Sequence, residues 1–165
     1  MSATEKRRGY HSPRRQQQAE ATRREILRAA RRLFTVDGYV TTTLSAVAVE
    51  AGVSLPTVTA AFGTKLAILD ALIRVEVRGD EAPTPLAART RWQEMLREPD
   101  PVRQLILNAA ALRHIHDRTT DIFEIVRGAA TAEPEIAALR RSLNARRFED
   151  KRLLAQSLES KQALR

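Results

Sequence analysis

The chain has 165 residues and a formal net charge of +8, from 28 Lys and Arg against 20 Asp and Glu. A hydrophobic content of 43% allows a core, and an aromatic content of 4% predicts one built from Ala, Leu, Ile and Val, which favours helices over strands. The lack of cysteine excludes disulfides and thiolate chemistry. No stretch reaches the roughly 18 apolar residues of a spanning helix, so we expect a cytoplasmic protein without a membrane partner.

The positive charge is concentrated at the start of the chain, where residues 1–32 hold ten Lys or Arg against three Glu. Residues 1–18, MSATEKRRGYHSPRRQQQ, are polar and lack periodicity, which predicts a disordered basic arm. Such an arm can follow a DNA backbone by displacing counterions from phosphates without reading the sequence. An ordinary solvated tail is the alternative.

Helical periodicity begins near Ala19 and predicts four short helices up to Arg78. The first helix is expected to end at Gly38, and Thr41, Thr42 and Thr43 are candidate caps for the second. Gly52 ends the second helix, since only glycine enters the left-handed region without strain. Ser54 is a natural cap for the third helix. The inward-facing positions of the first three helices are Ile26, Ala30, Leu33, Phe34, Leu44, Val47, Ala48, Ala51, Val53, Val58 and Phe62.

The second half of the chain follows a boundary at residues 80–85, DEAPTP. Apolar spacing predicts further helices near 86–97, 102–116, 120–131 and 134–160, and no segment shows strand-like alternation. We therefore predict an all-α fold. A three-helix helix-turn-helix domain at 19–80 is joined by its fourth helix to a helical effector-binding and dimerisation domain at 81–165.

The segment from Thr22 to Leu69 resembles the TetR family of bacterial transcriptional regulators. The matching motifs are TRREILRAARRLF, DGYVTTTL, VAVEAGVS, and a T-V-x-x-x-F-x-x-K pattern that ends at Lys65. The resemblance covers about a third of the chain, and it implies a repressor that binds double-stranded DNA as a homodimer.

The resemblance also implies which residues contact DNA. In the family the third helix enters the major groove, and the starts of the second, third and fourth helices contact phosphates or bases. The corresponding residues here are Thr43, Ser54, Thr57 and Lys65. Free N–H groups at helix N-termini suit phosphate binding.

The recognition surface departs from the family pattern at Pro56, Thr59 and Ala61. The predicted base-contacting residues are Leu55, Thr57, Thr59 and Ala60, which can touch a thymine methyl group or make single hydrogen bonds. They cannot make a bidentate arginine–guanine contact. We therefore expect affinity to depend on the basic arm and on the first helix, including Arg23 and Arg24.

The region after Thr84 resembles a TetR-type effector domain only in its layout. A small, apolar effector is expected to bind there. Five residues are candidates for lining its pocket: Trp92, Met95, Leu112, His116 and Phe123. For each of them, ordinary packing in the core is the alternative. Dimerisation is expected through the helix near 135–160. Family members usually continue with a second long helix where this chain ends.

The sequence does not support an enzyme, because nothing places a nucleophile, a base and an orienting group together. It also predicts no cofactor and no metal, since His114 and His116 point to different faces of a helix. Two other functions stay open. The chain could be a truncated interaction protein that pairs with a related regulator, or a non-specific nucleic-acid binder that uses the arm alone.

Overall fold

The computed structural model describes residues 13–82 and 84–163, and all regular secondary structure in this part of the chain is helical. The predicted all-α class is confirmed. Seven α-helices follow one another: α1 (Pro13–Val36), α2 (Leu44–Glu50), α3 (Leu55–Phe62), α4 (Lys65–Arg78), α5 (Thr90–Arg97), α6 (Pro101–Ala129) and α7 (Pro134–Ser160).

Helix α1 begins earlier than the sequence suggested. Residues 13–18, which we assigned to a disordered arm, form its first turns, and the rest of that arm lies outside the described residues. Pro13 is tolerated because the first turn has no partner for its missing N–H. The Arg and Gln residues that follow are good helix formers, and Gln16 donates to Glu20 at 3.2 Å. Periodicity missed this extension because it has no apolar face to bury.

The helix boundaries predicted from caps and glycines agree with the structure around α2 to α4. Thr43, Ser54 and Thr64 cap these helices, and each hydroxyl accepts the amide N–H of the residue three positions later. Gly52 takes a φ of +66° between α2 and α3. The hydroxyl caps satisfy amide groups that a short helix would otherwise leave without partners.

Two helix predictions in the second half were wrong. The helix expected at 86–97 is a 3₁₀ turn (Leu86–Ala88) followed by α5. Arg89 between them is extended and donates to the Asp80 carboxylate at 2.6 and 2.8 Å. The ion pair between Arg89 and Asp80 holds the bend between the 3₁₀ turn and α5.

The helices expected at 102–116 and 120–131 form the single helix α6. Thr119 and Thr120 lie at the expected break, where their hydroxyls could cap a new helix. Instead their hydroxyls donate to the carbonyls of Ile115 and His116, one turn earlier in the same helix, both at 2.8 Å. With no Gly or Pro between residues 102 and 127, nothing in the backbone interrupts the hydrogen-bond ladder.

One continuous apolar core joins the two halves of the chain. Ile26, Phe34 and Ile68 of the N-terminal helices pack in the same cluster as Ile122 of α6 and Ile136 of α7. All five side chains are fully or almost fully buried. Movement of α6 or α7 must therefore repack residues that also hold the N-terminal helices.

A buried polar cluster fixes the far end of the molecule. The Gln104 amide, with no exposed surface, donates to the carbonyls of Met95 and Leu96 and to the Ser157 hydroxyl. Lys161 donates to the Gln104 carbonyl oxygen at 2.7 Å. These bonds hold the end of α5, the start of α6 and the end of α7 together.

The apolar residues of α7 mostly face inward. Ile136, Leu143 and Leu158 are buried, so α7 does not carry the exposed stripe that a dimer through 135–160 would use, apart from Phe148. The largest set of exposed apolar side chains lies instead on α6: Val102, Leu105, Ile106, Leu107 and Leu112.

In the described part of the chain no single helix is long and apolar enough to cross a membrane. Helices α2 and α3 pass such a test only when joined, and they are bent by 111° at the break between them.

Candidate nucleic-acid interface

Helices α2 and α3 have the geometry of a helix-turn-helix. The bend of 111° lies in the range of about 90–120° that this motif adopts. Val47 of α2 and Val58 of α3 are fully buried, and they anchor both helices on the core. This packing fixes which face of α3 points outward.

The outward face of α3 holds most of the predicted recognition residues. Leu55 is 41% exposed, Thr59 and Ala60 are exposed, and Thr57 is half-buried. The Ser54 and Thr57 hydroxyls lie 2.8 Å apart, and Ser54 also accepts the Thr57 amide at 3.2 Å. The structure therefore groups these side chains on one small, uncharged surface at the start of α3. Their contact with bases stays a prediction.

A wide groove runs between this surface and the start of α1. It has a volume of about 1070 Å³, and Arg14, Gln18 and Thr22 of α1 face Thr57 and Ala60 of α3 across it. Arg15 also lines it. Both arginines fall in the segment predicted to be a disordered arm, and Gln18 and Thr22 were not among the predicted site residues. The helical spacing of 14, 18 and 22 is the signal that could have found them.

Lys65 is engaged within the protein. Its Nζ donates to the carbonyls of Tyr39, Val40 and Thr42 at 2.7, 3.2 and 2.9 Å, and it lies 4.3 Å from the Tyr39 ring centroid. A lysine ammonium has three protons, and three carbonyls accept them here. Lys65 thus ties the start of α4 to the loop that precedes α2. The phosphate contact implied by the resemblance stays a prediction.

Arg23 is also occupied, whereas Arg24 is not. The Arg23 guanidinium pairs with the Glu81 carboxylate, donates to the Ala61 carbonyl and stacks on the Phe62 ring at 4.0 Å. These contacts connect α1, α3 and the segment after α4. Arg24 is exposed, and among the described residues it has no salt-bridge partner.

Four of the five predicted effector-pocket residues line one cleft in the second half of the chain. Trp92, Leu112, His116 and Phe123 surround a space of about 740 Å³ bounded by α4, α5, α6 and α7. Met95 is buried elsewhere and does not line it. This volume lies within the range of about 300–1,000 Å³ that is usual for small-molecule sites.

An ion-pair network connects the N-terminal helices to the helices around this cleft. Arg31 of α1 donates to Glu76 of α4 at 2.7 Å and to Asp121 of α6 at 2.9 Å. Arg118 of α6 donates to the Glu76 carbonyl. Asp121 lies between Thr120 and Phe123, which line the cleft.

The fold and this surface define an all-helical protein with an exposed helix-turn-helix beside basic residues, which is the architecture of a DNA-binding protein. Residues 26–72 match the family model described as "Bacterial regulatory proteins, tetR family". This match confirms the predicted resemblance to the TetR family over the helix-turn-helix segment, and it supports a DNA-binding transcriptional regulator.

A solved structure extends the likeness beyond the matched segment. The crystal structure of a HlyIIR mutant protein, in which an internal segment is replaced by a linker containing two thrombin sites, superposes with a TM-score of 0.65. The match is 18% identical in sequence and covers 89% of this chain and 75% of that one. At this identity the likeness concerns the fold. No curated protein matches the sequence.

Proposed function

We propose that the protein is a ligand-responsive repressor that binds a palindromic operator as a homodimer in the bacterial cytoplasm. The observation that carries the proposal is the exposed face of α3, flanked across a groove by Arg14 and Arg15. The arginines supply sequence-independent affinity for phosphates, and the small side chains of α3 supply the base contacts.

The apolar stripe on α6 supports a second copy of the chain as the partner. Val102, Leu105 and Ile106 lie three and four residues apart on one face, and Val102 and Ile106 are 64% and 63% exposed. Two such stripes related by a two-fold axis can cover each other. We place the dimer contact mainly on α6, rather than on the helix near 135–160 that the sequence favoured.

The proposed response acts through α4. This helix packs against α1, α6 and α7, and it carries both Lys65, which holds the loop before α2, and Glu76, which pairs with Arg31. A ligand that shifts α6 would move α4 and change the separation of the two α3 helices. Binding of two half-sites requires them about 34–36 Å apart.

Selection of bound sites from a random duplex library, at about 0.15 M salt, tests the proposal. We expect an inverted repeat with half-sites about one helical turn apart. A single half-site would contradict the homodimer and favour the interaction protein that pairs with a relative. No enrichment, with binding abolished by deletion of residues 1–12, would favour the non-specific binder.

A further inference from the structure

The cleft in the second half of the chain has a second lobe rich in arginine. This arginine lobe, of about 420 Å³, is lined by Arg74 and Arg78 of α4 and by Arg146 and Arg147 of α7. The wider space beside Trp92 is the tryptophan lobe. Arg147 and Phe123 are among the residues that line both lobes, so the two lobes adjoin.

The charges along this cleft do not balance. Arg74 pairs with Asp70, and Glu124 pairs with Arg127 outside the cleft. The other charged lining residues are five bases against two carboxylates: Arg78, Arg113, Arg146, Arg147 and Lys151 against Asp117 and Asp150. None of the five bases has a salt-bridge partner among the residues that the structure describes.

Two of these cations are partly removed from water. The Arg147 guanidinium stacks on the Phe123 ring at 3.8 Å, and burial lowers the pKa of Arg147. Burial also lowers the pKa of Arg78, with a further contribution from nearby Arg146. Asp70 and Asp150 act on Arg78 from the same lobe, but the pKa of Arg78 is lowered even so. A partly desolvated cation is costly, and a further anion in the lobe would offset that cost.

The tryptophan lobe offers an apolar surface bordered by charged side chains, which include Arg113 and Lys151. Trp92, Leu112, Phe123 and Leu154 line the tryptophan lobe. Trp92 is only 6% exposed. The cleft therefore offers an arginine-rich lobe at one end and an apolar surface bordered by charged residues at the other. Arg147 and Asp150 line both lobes.

We propose that this cleft binds a carboxylic acid with an extended apolar body. The carboxylate lies among Arg78, Arg146 and Arg147, where guanidinium groups can donate paired hydrogen bonds. The apolar body lies along Phe123, Leu112 and Trp92. The regulatory consequence, release or capture of DNA, rests on the proposed function, whereas binding of the acid does not depend on it.

Trp92 is the only tryptophan in the chain, so its fluorescence reports on the cleft alone. The full chain is titrated with ω-bromoundecanoate, whose terminal bromine quenches an indole that it touches. We expect saturable quenching, and at least tenfold weaker binding of ω-bromoundecanol, which has the same chain without the charge. Equal affinity for the acid and the alcohol would overturn the proposal.

Substitutions of single arginines test where the carboxylate of the acid binds. Arg146→Gln should weaken binding of the acid about tenfold or more and leave the alcohol unchanged, because a charge-assisted contact is lost. Arg141→Gln on the same helix removes the same charge away from the cleft and should have no effect. Arg147→Gln should resemble Arg146→Gln if it folds. Equal effects of Arg146→Gln and Arg141→Gln would overturn the assignment.

Measuring DNA binding by the same protein, with and without the acid, distinguishes a failure of this proposal from a failure of the proposed function. Acid-selective quenching without any change in duplex affinity would support the site and contradict the ligand response. Specific duplex binding without acid-selective quenching would overturn the site and leave the DNA-binding function standing.

Discussion

Arg31 of α1 and Asp121 of α6 are joined by hydrogen bonds from Nε at 3.2 Å and Nη2 at 2.9 Å, although 90 positions separate them in sequence. The same guanidinium reaches Glu76 of α4. The contact is about one-third exposed on both sides, so its contribution to stability is small. Its importance lies in position, since it links the DNA-binding helices to the helix that lines the cleft.

Asp121→Asn should reduce the communication between the cleft and the DNA-binding surface. The asparagine keeps the shape but removes the charge that holds Arg31. We expect the DNA affinity of the variant to be nearly the same with and without the acid, so that the ratio of the two affinities falls toward one. DNA alone and the acid alone should each bind within a few-fold of wild type. Coupling free energies of this kind are typically about 1–3 kcal/mol. Asp37→Asn, an exposed carboxylate outside the network, is the control, and an undiminished ratio in Asp121→Asn would show that coupling takes another route.

Lys65→Met should destabilise the protein. The methionine keeps much of the apolar stem but leaves three backbone carbonyls without their donor. We expect the free energy of unfolding to fall by about 1–2 kcal/mol, measured by denaturant titration. The salt dependence of DNA binding distinguishes the two roles of Lys65. If Lys65 only holds the loop before α2, the slope of log affinity against log salt should be unchanged in the variant. A slope lower by about one unit would establish the phosphate contact.

Arg14→Gln combined with Arg15→Gln should weaken binding to all duplexes alike. Each lost phosphate contact lowers the slope of log affinity against log salt by about 0.9, so the double variant should lose about two units. The matched control is Arg140→Gln with Arg141→Gln on α7, which removes the same charge from exposed positions. If both double variants had the same effect, net charge rather than the groove would explain the affinity.

Ile106→Asp should prevent self-association. A carboxylate at the centre of the α6 stripe would be buried in the proposed dimer without a partner, which is strongly unfavourable. We expect sedimentation to show a dimer for the wild type and a monomer for the variant. Val36→Asp, at a side chain 70% exposed on α1, is the control. A dimeric Ile106→Asp protein would place the interface elsewhere.

Asp80→Asn should make the stability less sensitive to acid. The Arg89 guanidinium lowers the pKa of Asp80 from its usual 3.8 to about 2. A lowered pKa in the folded state stabilises the protein above the unfolded-state pKa, and this contribution is lost as the pH falls toward 2. The difference in melting temperature between wild type and variant should be full at pH 5 to 7 and shrink below pH 4. A difference that is constant with pH would exclude the ion pair as its cause.

The N-terminal half could be predicted closely because its signals are local. Gly52 has the positive φ that its position required, and Thr43 and Ser54 cap the helices that they were expected to cap. In the second half, the break expected between residues 116 and 120 was wrong, because a hydroxyl such as that of Thr119 or Thr120 can cap a new helix or bond back along its own. Local sequence does not decide between these.

The site was less predictable than the fold because it depends on distant pairs. Arg23 and Lys65 looked available for DNA, but Glu81 and the loop carbonyls that engage them cannot be inferred from spacing. The arginine lobe is likewise formed by residues of α4 and α7 that lie about 70 positions apart. The resemblance supplied the helix-turn-helix and could not supply these contacts.

The most direct test compares the affinity for a selected duplex with that for the same duplex with one half-site scrambled, at about 0.15 M salt. We expect two protomers on the intact duplex and a large loss of affinity on the scrambled one, because both α3 helices must dock. Equal affinity for the two duplexes, with one protomer bound to each, would contradict it.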